Sequence, residues 1–418
     1  MQGKKLSLGS IVVLAIFALT PLLTSTCAAA QKEKVLHNFN QAVGGGPLAS
    51  LTSDSAGNLY GTTLDGGAYK QGTVFELMPK AGGGWAYKIL HTFRYTSTDH
   101  RDGYNPASRL VFDGFGNLYG TTTIGGTDGN GVLYRLSPNA DGTWAETVLL
   151  ASGLENPIFD LAFDPAGNLY SEAGNCNYCG GGGVIEMSPG SSGWTVKIQH
   201  VFQDNGTDGW NPSGGLVMDA AGNLYGTTAS GGTSCDLNCG VIFKLIPRKD
   251  GIWAEEIVHN FPSDSSDGSY PLHLVVGPHG SLYGTANDGG NSCPNLGCGI
   301  VYELSPQPGG QWTEKILYAF SGPDGAKPDG LTIVSNKIYG TTNVGGGGSC
   351  YGGQGCGVVF ELSRDSQGQW QETVLHSFDL ADGEGPIGDP IVNLAGDVFG
   401  ATGYGGFYNG GTVFEITK

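Results

Sequence analysis

A near-copy of Asp-x-x-Gly-Asn-Leu-Tyr-Gly-Thr-Thr occurs seven times in this chain, with its aromatic residue at Tyr60, Tyr119, Tyr170, Tyr225, Tyr283, Tyr339 and Phe399. The copies are 51 to 60 residues apart. A period of that size implies a repeat architecture, in which each unit is one supersecondary element whose apolar faces are covered by its neighbours. Every unit carries four short segments: Pro-x-x-x-Leu-x-x-Asp (Pro106 to Asp113), Gly-Asn-Leu-Tyr-Gly-Thr-Thr (Gly116 to Thr122), Gly-x-Val-Phe-Glu-Leu (Gly72 to Leu77) and Trp-x-x-x-x-Leu-His-x-Phe (Trp85 to Phe93). The segments are rich in aromatic and β-branched residues, and Gly, Pro, Asp or Asn marks each junction. None has a sustained helical period. Four strands per unit and seven units predict an all-β, seven-bladed β-propeller. Residues 35–39 read as a fourth strand alone and residues 411–416 as a third strand alone. The N-terminal strand is therefore expected to complete the last blade and close the ring, which removes free sheet edges.

Glycine makes up 74 of 418 residues, but without a Gly-X-Y period, and it recurs at fixed places beside apolar strands. Collagen and low-complexity disorder are thereby excluded. The formal charge is −18. This acidity opposes nucleic acid and anionic lipid as partners and fits solubility, neutral sugars or cationic partners. Residues 1–30 read as a signal peptide: Lys4 and Lys5 precede an apolar run from Ile11 to Leu19, and Ala28-Ala29-Ala30 offers a cleavage site before Gln31. Thr24-Ser25-Thr26 before Cys27 lacks the pattern of a lipidation site. The propeller domain is expected over residues 31–418, with no later stretch long and apolar enough to span a bilayer. The expectation is an exported protein, periplasmic or extracellular, and a monomer.

The tandem unit of Gly-Asn-Leu-Tyr-Gly-Thr-Thr, two glycines, Gly-x-Val-Phe-Glu-Leu-x-Pro, Trp and Leu-His-x-Phe resembles the Gloeobacter/Verrucomicrobia tandem-repeat proteins. The resemblance covers essentially the whole chain after residue 30. It implies an exported bacterial protein, but neither an established activity nor catalytic residues.

Seven copies of one unit describe a scaffold, so function is sought where the copies differ. The repeated aspartates, as in Asp113-Gly114-Phe115-Gly116-Asn117, read as hairpin turns. His37, His91, His200, His259 and His376 share a fourth-strand slot and read as packing residues. Glu76, Glu186, Glu303, Glu361 and Glu415 share a third-strand slot and read as a solvated face or inter-blade ion pairs. Eight cysteines pair by position between second and third strands: Cys176 with Cys179, Cys235 with Cys239, Cys293 with Cys298, and Cys350 with Cys356. Even count and export point to four disulfides. A redox role for Cys176-x-x-Cys179 and a four-cysteine zinc site are the competing readings.

Strand alternation places these cysteine loops and the Asp-Gly-x-x-Pro turns on one face, together with aromatic residues including Trp210 and Tyr351. Binding groups commonly sit on such loops. On the innermost strand the residue before the recurrent leucine varies, and equivalent slots would bring Arg109, Asp160, His273 and Asp389 around the central channel. Three functions fit. The chain reads first as a non-enzymatic propeller, without a cofactor or bound metal, that holds a glycan or a surface protein on its disulfide-pinned face. The alternatives are an exported enzyme (a metal-assisted lactonase, a lyase or a glycoside hydrolase) with acids at the channel mouth, and a structural envelope component.

Overall fold

A computed structural model describes residues 32–418 except 97–101, 155, 158, 175–179, 204, 234–238, 250, 252, 263–265, 291–292 and 294–296. The expected signal peptide, Cys176, Cys179 and Cys235 lie outside the described residues. Seven antiparallel sheets form seven blades of four strands each. Blades are numbered here in chain order, and the strands of each run from innermost (first) to outermost (fourth). The last blade is composite. Its first three strands, Glu384–Val392, Val398–Tyr404 and Thr412–Thr417, are completed by Lys32–Asn38, with Lys32 opposite Thr417 and Asn38 opposite Thr412. The ring thus closes as the sequence requires. No helix among the described residues is long and apolar enough to cross a membrane.

The core lies between blades. The phenylalanine that follows six of the seven fourth strands, Ala151 standing in the other, packs on the aromatic ring of the next blade's third strand: Phe93 on Tyr134 at 5.1 Å, Phe261 on Tyr302 at 5.5 Å, and Phe39 on Phe75 at 5.1 Å across the closure. All six rings are 0 % exposed. A second contact joins the recurrent tyrosine to the next blade's tryptophan, as in Tyr170 and Trp253 at 5.5 Å. Aromatic pairs at these distances add to the burial of their area, so the repeat's commonest rings are its glue.

The aspartate turns are closed by their own side chains. Asp113 accepts from the backbone of Phe115 and Asn117, both at 2.9 Å, and from Asn117 Nδ2 at 2.7 Å. Third-strand glutamates find partners within their own blade, as Tyr60 Oη donates to Glu76 at 2.9 Å and Tyr283 Oη to Glu303 at 2.8 Å, and Glu361 also pairs across blades with Lys418 of blade 7.

Cys293–Cys298 and Cys350–Cys356 are disulfides, and Cys239 is also disulfide-bonded. Each carries a second duty. The carbonyls of Cys298 and Cys356 accept from Lys327 N at 2.8 Å and Gly385 N at 2.9 Å, at the start of the next blade's first strand. Lys327 sits at φ 57°, as do Asn105, Asn211 and Tyr270 at 56°, 63° and 57° in the same slot before proline. Left-handed backbone at Lys or Tyr is unfavourable alone, and the inter-blade hydrogen bond holds it. Replacing Cys350 and Cys356 by serine is expected to cost about 2 kcal/mol by chain-entropy arithmetic. A thermal melt of the oxidised protein would show this as a midpoint a few degrees lower; an unchanged midpoint would contradict it.

Candidate functional site

The first strands are broken where the channel is lined. In blades 2 and 4 the strand stops at Pro106 and Pro212 and resumes at Val111 and Val217. In blades 5, 6 and 7 the register shifts between Pro271 and Leu274, Pro328 and Leu331, and Ile387 and Ile391. Such irregularities re-aim side chains. Arg109, His273, Asp329 and Asp389 all fall within them, freed from the pleat.

The four residues expected around the channel do converge. Arg109 Nη1 donates to Asp389 Oδ2 at 3.1 Å, and its backbone N–H donates to Asp160 at 3.0 Å. His273 Nδ1 lies 3.3 Å from Asp389 Oδ1, and its Nε2 lies 3.7 Å from Asp329. Leu331 N donates to Asp389 at 3.1 Å, Gly388 N to Asp329 at 2.9 Å, and Asp389 N to Ser50 at 2.9 Å. The circle is completed by Gly215 N to Glu172 at 3.0 Å, Ser213 to the Pro271 carbonyl at 2.7 Å, and Thr52 to the Leu110 carbonyl at 2.5 Å. Every neighbouring pair of blades is therefore joined at the channel, and Arg109 and His273 add cross-channel ties to blade 7.

Burial opposes charge on Asp389, but His273 and Arg109 outweigh it and hold this carboxyl below its usual range. Burial likewise opposes the His273 cation, and Asp389 and Asp329 outweigh that, pushing its pKa up to about 10. The central pair is ionised at neutral pH. Asp160 is raised by burial against the pull of Arg109 and His273. Glu172 is 0 % exposed, and burial pushes it up to about 8, so it is a neutral acid at pH 7.

Two cavities meet this ring. One of about 460 Å³ is lined by Arg109, Phe112, Phe163 and Val217 and lies toward the ends of the first strands. The other, about 170 Å³, lies toward their starts, beside Leu48, Ala107, Phe159 and Ile387, on the cysteine-loop side. Asp160 and His273 border both, so the ring divides the channel. Arg109, His273 and Asp389 are engaged with one another, and proton transfer from His273 or Asp389 to a substrate would first require one of these pairs to open. Arg109, whose side chain is 37 % exposed, is the group a ligand in the larger cavity would meet.

The loop face carries a different constellation. Tyr351, Tyr404, Phe407 and Tyr408 are 44 %, 51 %, 80 % and 57 % exposed. Tyr351 Oη stands over Gly385, and Glu384, which pairs with Tyr404 in the sheet, lies near enough to raise the Tyr351 hydroxyl after burial. Phe407 and Tyr408 meet edge to face at 4.8 Å, and Gly406 N donates to the Leu380 carbonyl at 2.9 Å. Tyr351 and Tyr404 thus form an aromatic patch across the loops of blades 6 and 7, and Phe407 and Tyr408 extend the exposed aromatic surface along the blade 7 loop. Trp210 is elsewhere, half-buried against Gly181 in a cleft of about 290 Å³. Of Trp210 and Tyr351, only Tyr351 joins the patch.

The Gloeobacter/Verrucomicrobia repeat model matches residues 15–196 and 148–353. The chain belongs to that repeat family. No curated protein matches the sequence. Among solved structures, an ancestral GH74 enzyme is similar at 15 % identity and a TM-score of 0.51, over 89 % of this chain and 48 % of that one. PorZ, a surface component of the type-IX secretion system of Porphyromonas gingivalis, is similar at 14 % identity and a TM-score of 0.42, over 82 % of this chain and 47 % of that one. This repeat protein spans about half the length of each, and the likeness to the GH74 enzyme, at such identity, shows the fold alone.

Several residues of this Gloeobacter/Verrucomicrobia repeat protein escape a reading of its sequence by motif. Glu172 had a visible signal: Ser171-Glu172 stands where other blades carry Gly-Thr or Gly-Ala. Asp329 sits one position before the slot that defines the ring, and the register shift brings it in. The fourth-strand histidines pack on phenylalanine, as His91 does on Phe93 at 4.7 Å, but each of four also faces two carboxylates. The glutamate of that set recurs two residues after tryptophan, at Glu146, Glu255 and Glu314, a signal as regular as the histidine itself.

Proposed function

We propose that this protein is an exported, glycan-binding propeller whose binding surface is the aromatic loop patch of blades 6 and 7. The observation that carries the reading is the placement of exposed Tyr351 and Tyr404 beside the carboxylate of Glu384, with Phe407 and Tyr408 exposed on the loop that follows Tyr404. An aromatic ring offers a flat apolar face to the C–H side of a sugar, and a carboxylate accepts from its hydroxyls. Exposed apolar groups gathered at one place on a monomer mark an interaction site. Tyr351 sits between the bonded Cys350 and Cys356, so little loop entropy remains to be lost on binding. The disulfides, together with the leader-like pattern of residues 1–30, support export to an oxidising compartment. In the channel Arg109 and His273 are paired with Asp389, which favours binding over catalysis.

The test is a glycan array probed with the full chain and with a Tyr404→Ala/Phe407→Ala variant. The wild type is expected to select a small set of glycans, and the variant to lose at least about tenfold in signal at an unchanged melting temperature, because exposed rings contribute little to stability. Undiminished binding by the variant, or a wild type that binds no glycan and is instead retained by a cell-surface protein, would overturn the reading.

A further inference from the structure

Four of the seven blade junctions place one histidine and two carboxylates together at the rim. His91 of blade 1 meets Asp102 of the connecting turn and Glu146 of blade 2; His200 meets Asp208 and Glu255; His259 meets Asp267 and Glu314; His376 meets Asp382 and Glu33. In each set, one imidazole nitrogen and one oxygen from each carboxylate lie within 4.8 Å of one another. We propose that each of these junctions binds one divalent first-row transition cation, of the Zn²⁺ class, through the histidine Nε2 and the two carboxylates.

At His200 and His259 the distances favour a cation over hydrogen bonding, whereas His91 and His376 stand within hydrogen-bond reach of Asp102 and Asp382, at 3.0 and 2.9 Å. Tetrahedral zinc with bonds of about 2.1 Å sets its ligands about 3.4 Å apart. His200 Nε2 lies 3.5 Å from Asp208 Oδ2 and 3.4 Å from Glu255 Oε1. At His259 the corresponding distances are 3.7 and 3.9 Å, and at His91 they are 3.0 and 3.9 Å. An N–H···O bond would draw its atoms to about 2.9 Å.

A second observation is independent of these spacings. With both carboxyls ionised, the buried atoms His200 Nε2, Asp208 Oδ1 and Glu255 Oε1 have no well-formed hydrogen bond, and the Asp208 side chain, only 8 % exposed, is otherwise held by Gln203 N at 2.9 Å. His259 Nε2, Glu146 Oε1, Glu314 Oε1 and Glu33 Oε1 are in the same condition. Buried polar atoms left unpaired are costly and uncommon, yet here they recur at homologous places. One cation per junction would satisfy them together. Imidazole in the ligand set selects a first-row transition ion over Ca²⁺ or Mg²⁺, which prefer oxygen alone.

Packing does not require the triad, because three junctions close without it. Between blades 2 and 3, Leu150 and Val196 occupy the histidine and glutamate slots, so both are lost together. Between blades 7 and 1, Val43 and Tyr87 replace the acids, and His37 stacks on Tyr87 at 4.0 Å. Between blades 5 and 6, Tyr318 takes the histidine slot and donates to Asp324 at 2.6 Å. The cation sites would therefore be rim staples added to a ring that its aromatic core already closes.

The test uses the full chain, stripped with a chelator, re-equilibrated with Zn²⁺, desalted and assayed for retained zinc by mass spectrometry. About four zinc ions per chain are expected, with a melting temperature that rises on zinc addition and falls back with chelator. Glu255→Gln, which keeps the side chain's shape, is expected to retain about one ion fewer. Less than one retained zinc in the wild type would overturn the proposal and leave a shared proton as the tie between the carboxylates. A zinc content that falls in Asp160→Asn but not in Glu255→Gln would also overturn it, by placing the ion in the channel.

Discussion

Asp389→Leu is expected to destabilise the propeller by about 3–5 kcal/mol, the range for removing one partner of a buried ion pair. The reason is its place in the ring. Asp389 accepts from Arg109, lies against His273 and accepts from the backbone of Leu331, so one truncation strands the Arg109 guanidinium and an amide and leaves the His273 cation only the more distant Asp329 at 3.7 Å. The cross-channel ties from blades 2 and 5 to blade 7 fail together. The variant should melt several degrees below the wild type, and its loss should depend on pH. His273 is raised to about 10, so its contribution is complete below its unfolded value near 6.5 and is lost as pH rises through about 10. Asp389 is lowered, so its contribution is complete above the ordinary carboxylate range and is lost as pH falls through its depressed value. Denaturation midpoints of the wild type should therefore be highest between about pH 4 and 6.5 for these two groups, and Asp389→Leu should flatten both limbs. An Asp389→Leu protein as stable as the wild type at pH 6 would show that the ring is not a clamp.

Phe39→Ala is the second large effect. Phe39 is 0 % exposed and touches Phe75 and Tyr87 of blade 1, with ring centroids at 5.1 and 6.1 Å. Removing a buried phenylalanine costs about 3–5 kcal/mol. Phe93 occupies the same slot between blades 1 and 2 and is equally buried, so Phe93→Ala should cost a similar amount. The two variants should differ in how they fail. Phe39 follows Lys32–Asn38, the strand that completes blade 7 from the other end of the chain. Loosening it exposes the edge of Thr412–Thr417, and open edges invite association. Limited proteolysis should release the N-terminal strand from Phe39→Ala before any other fragment, with aggregation on gel filtration, whereas Phe93→Ala should give no early N-terminal fragment. Identical digestion patterns would count against closure by this strand.

The fold was legible because the period is long, the strands carry fixed aromatic slots, and the chain's two ends complement each other. The disulfides at Cys293–Cys298 and Cys350–Cys356 followed from local pairing within one loop. The convergence of Arg109, Asp160, His273 and Asp389 followed from repeat register alone, since equivalent slots on seven inner strands must face one axis. What was not legible depends on departures from that register. Asp329 enters the ring through a strand irregularity, and Glu172 through a substitution in the second strand. The rim triads join residues from two blades and the turn between them, a contact that no single repeat displays. The blade 7 aromatics Tyr404, Phe407 and Tyr408 fill an ordinary loop in sequence, and their value lies in exposure beside Tyr351, which depends on how blades 6 and 7 meet.

The most direct test of the account is a crystal structure of the full chain soaked with an oligosaccharide selected on the array. The account predicts a sugar ring stacked on Tyr404 or Phe407 with a hydroxyl within hydrogen-bond reach of Glu384, and a channel ring unchanged at Arg109, His273 and Asp389. A sugar lodged in the larger channel cavity against Arg109, with the loop patch bare, would contradict it.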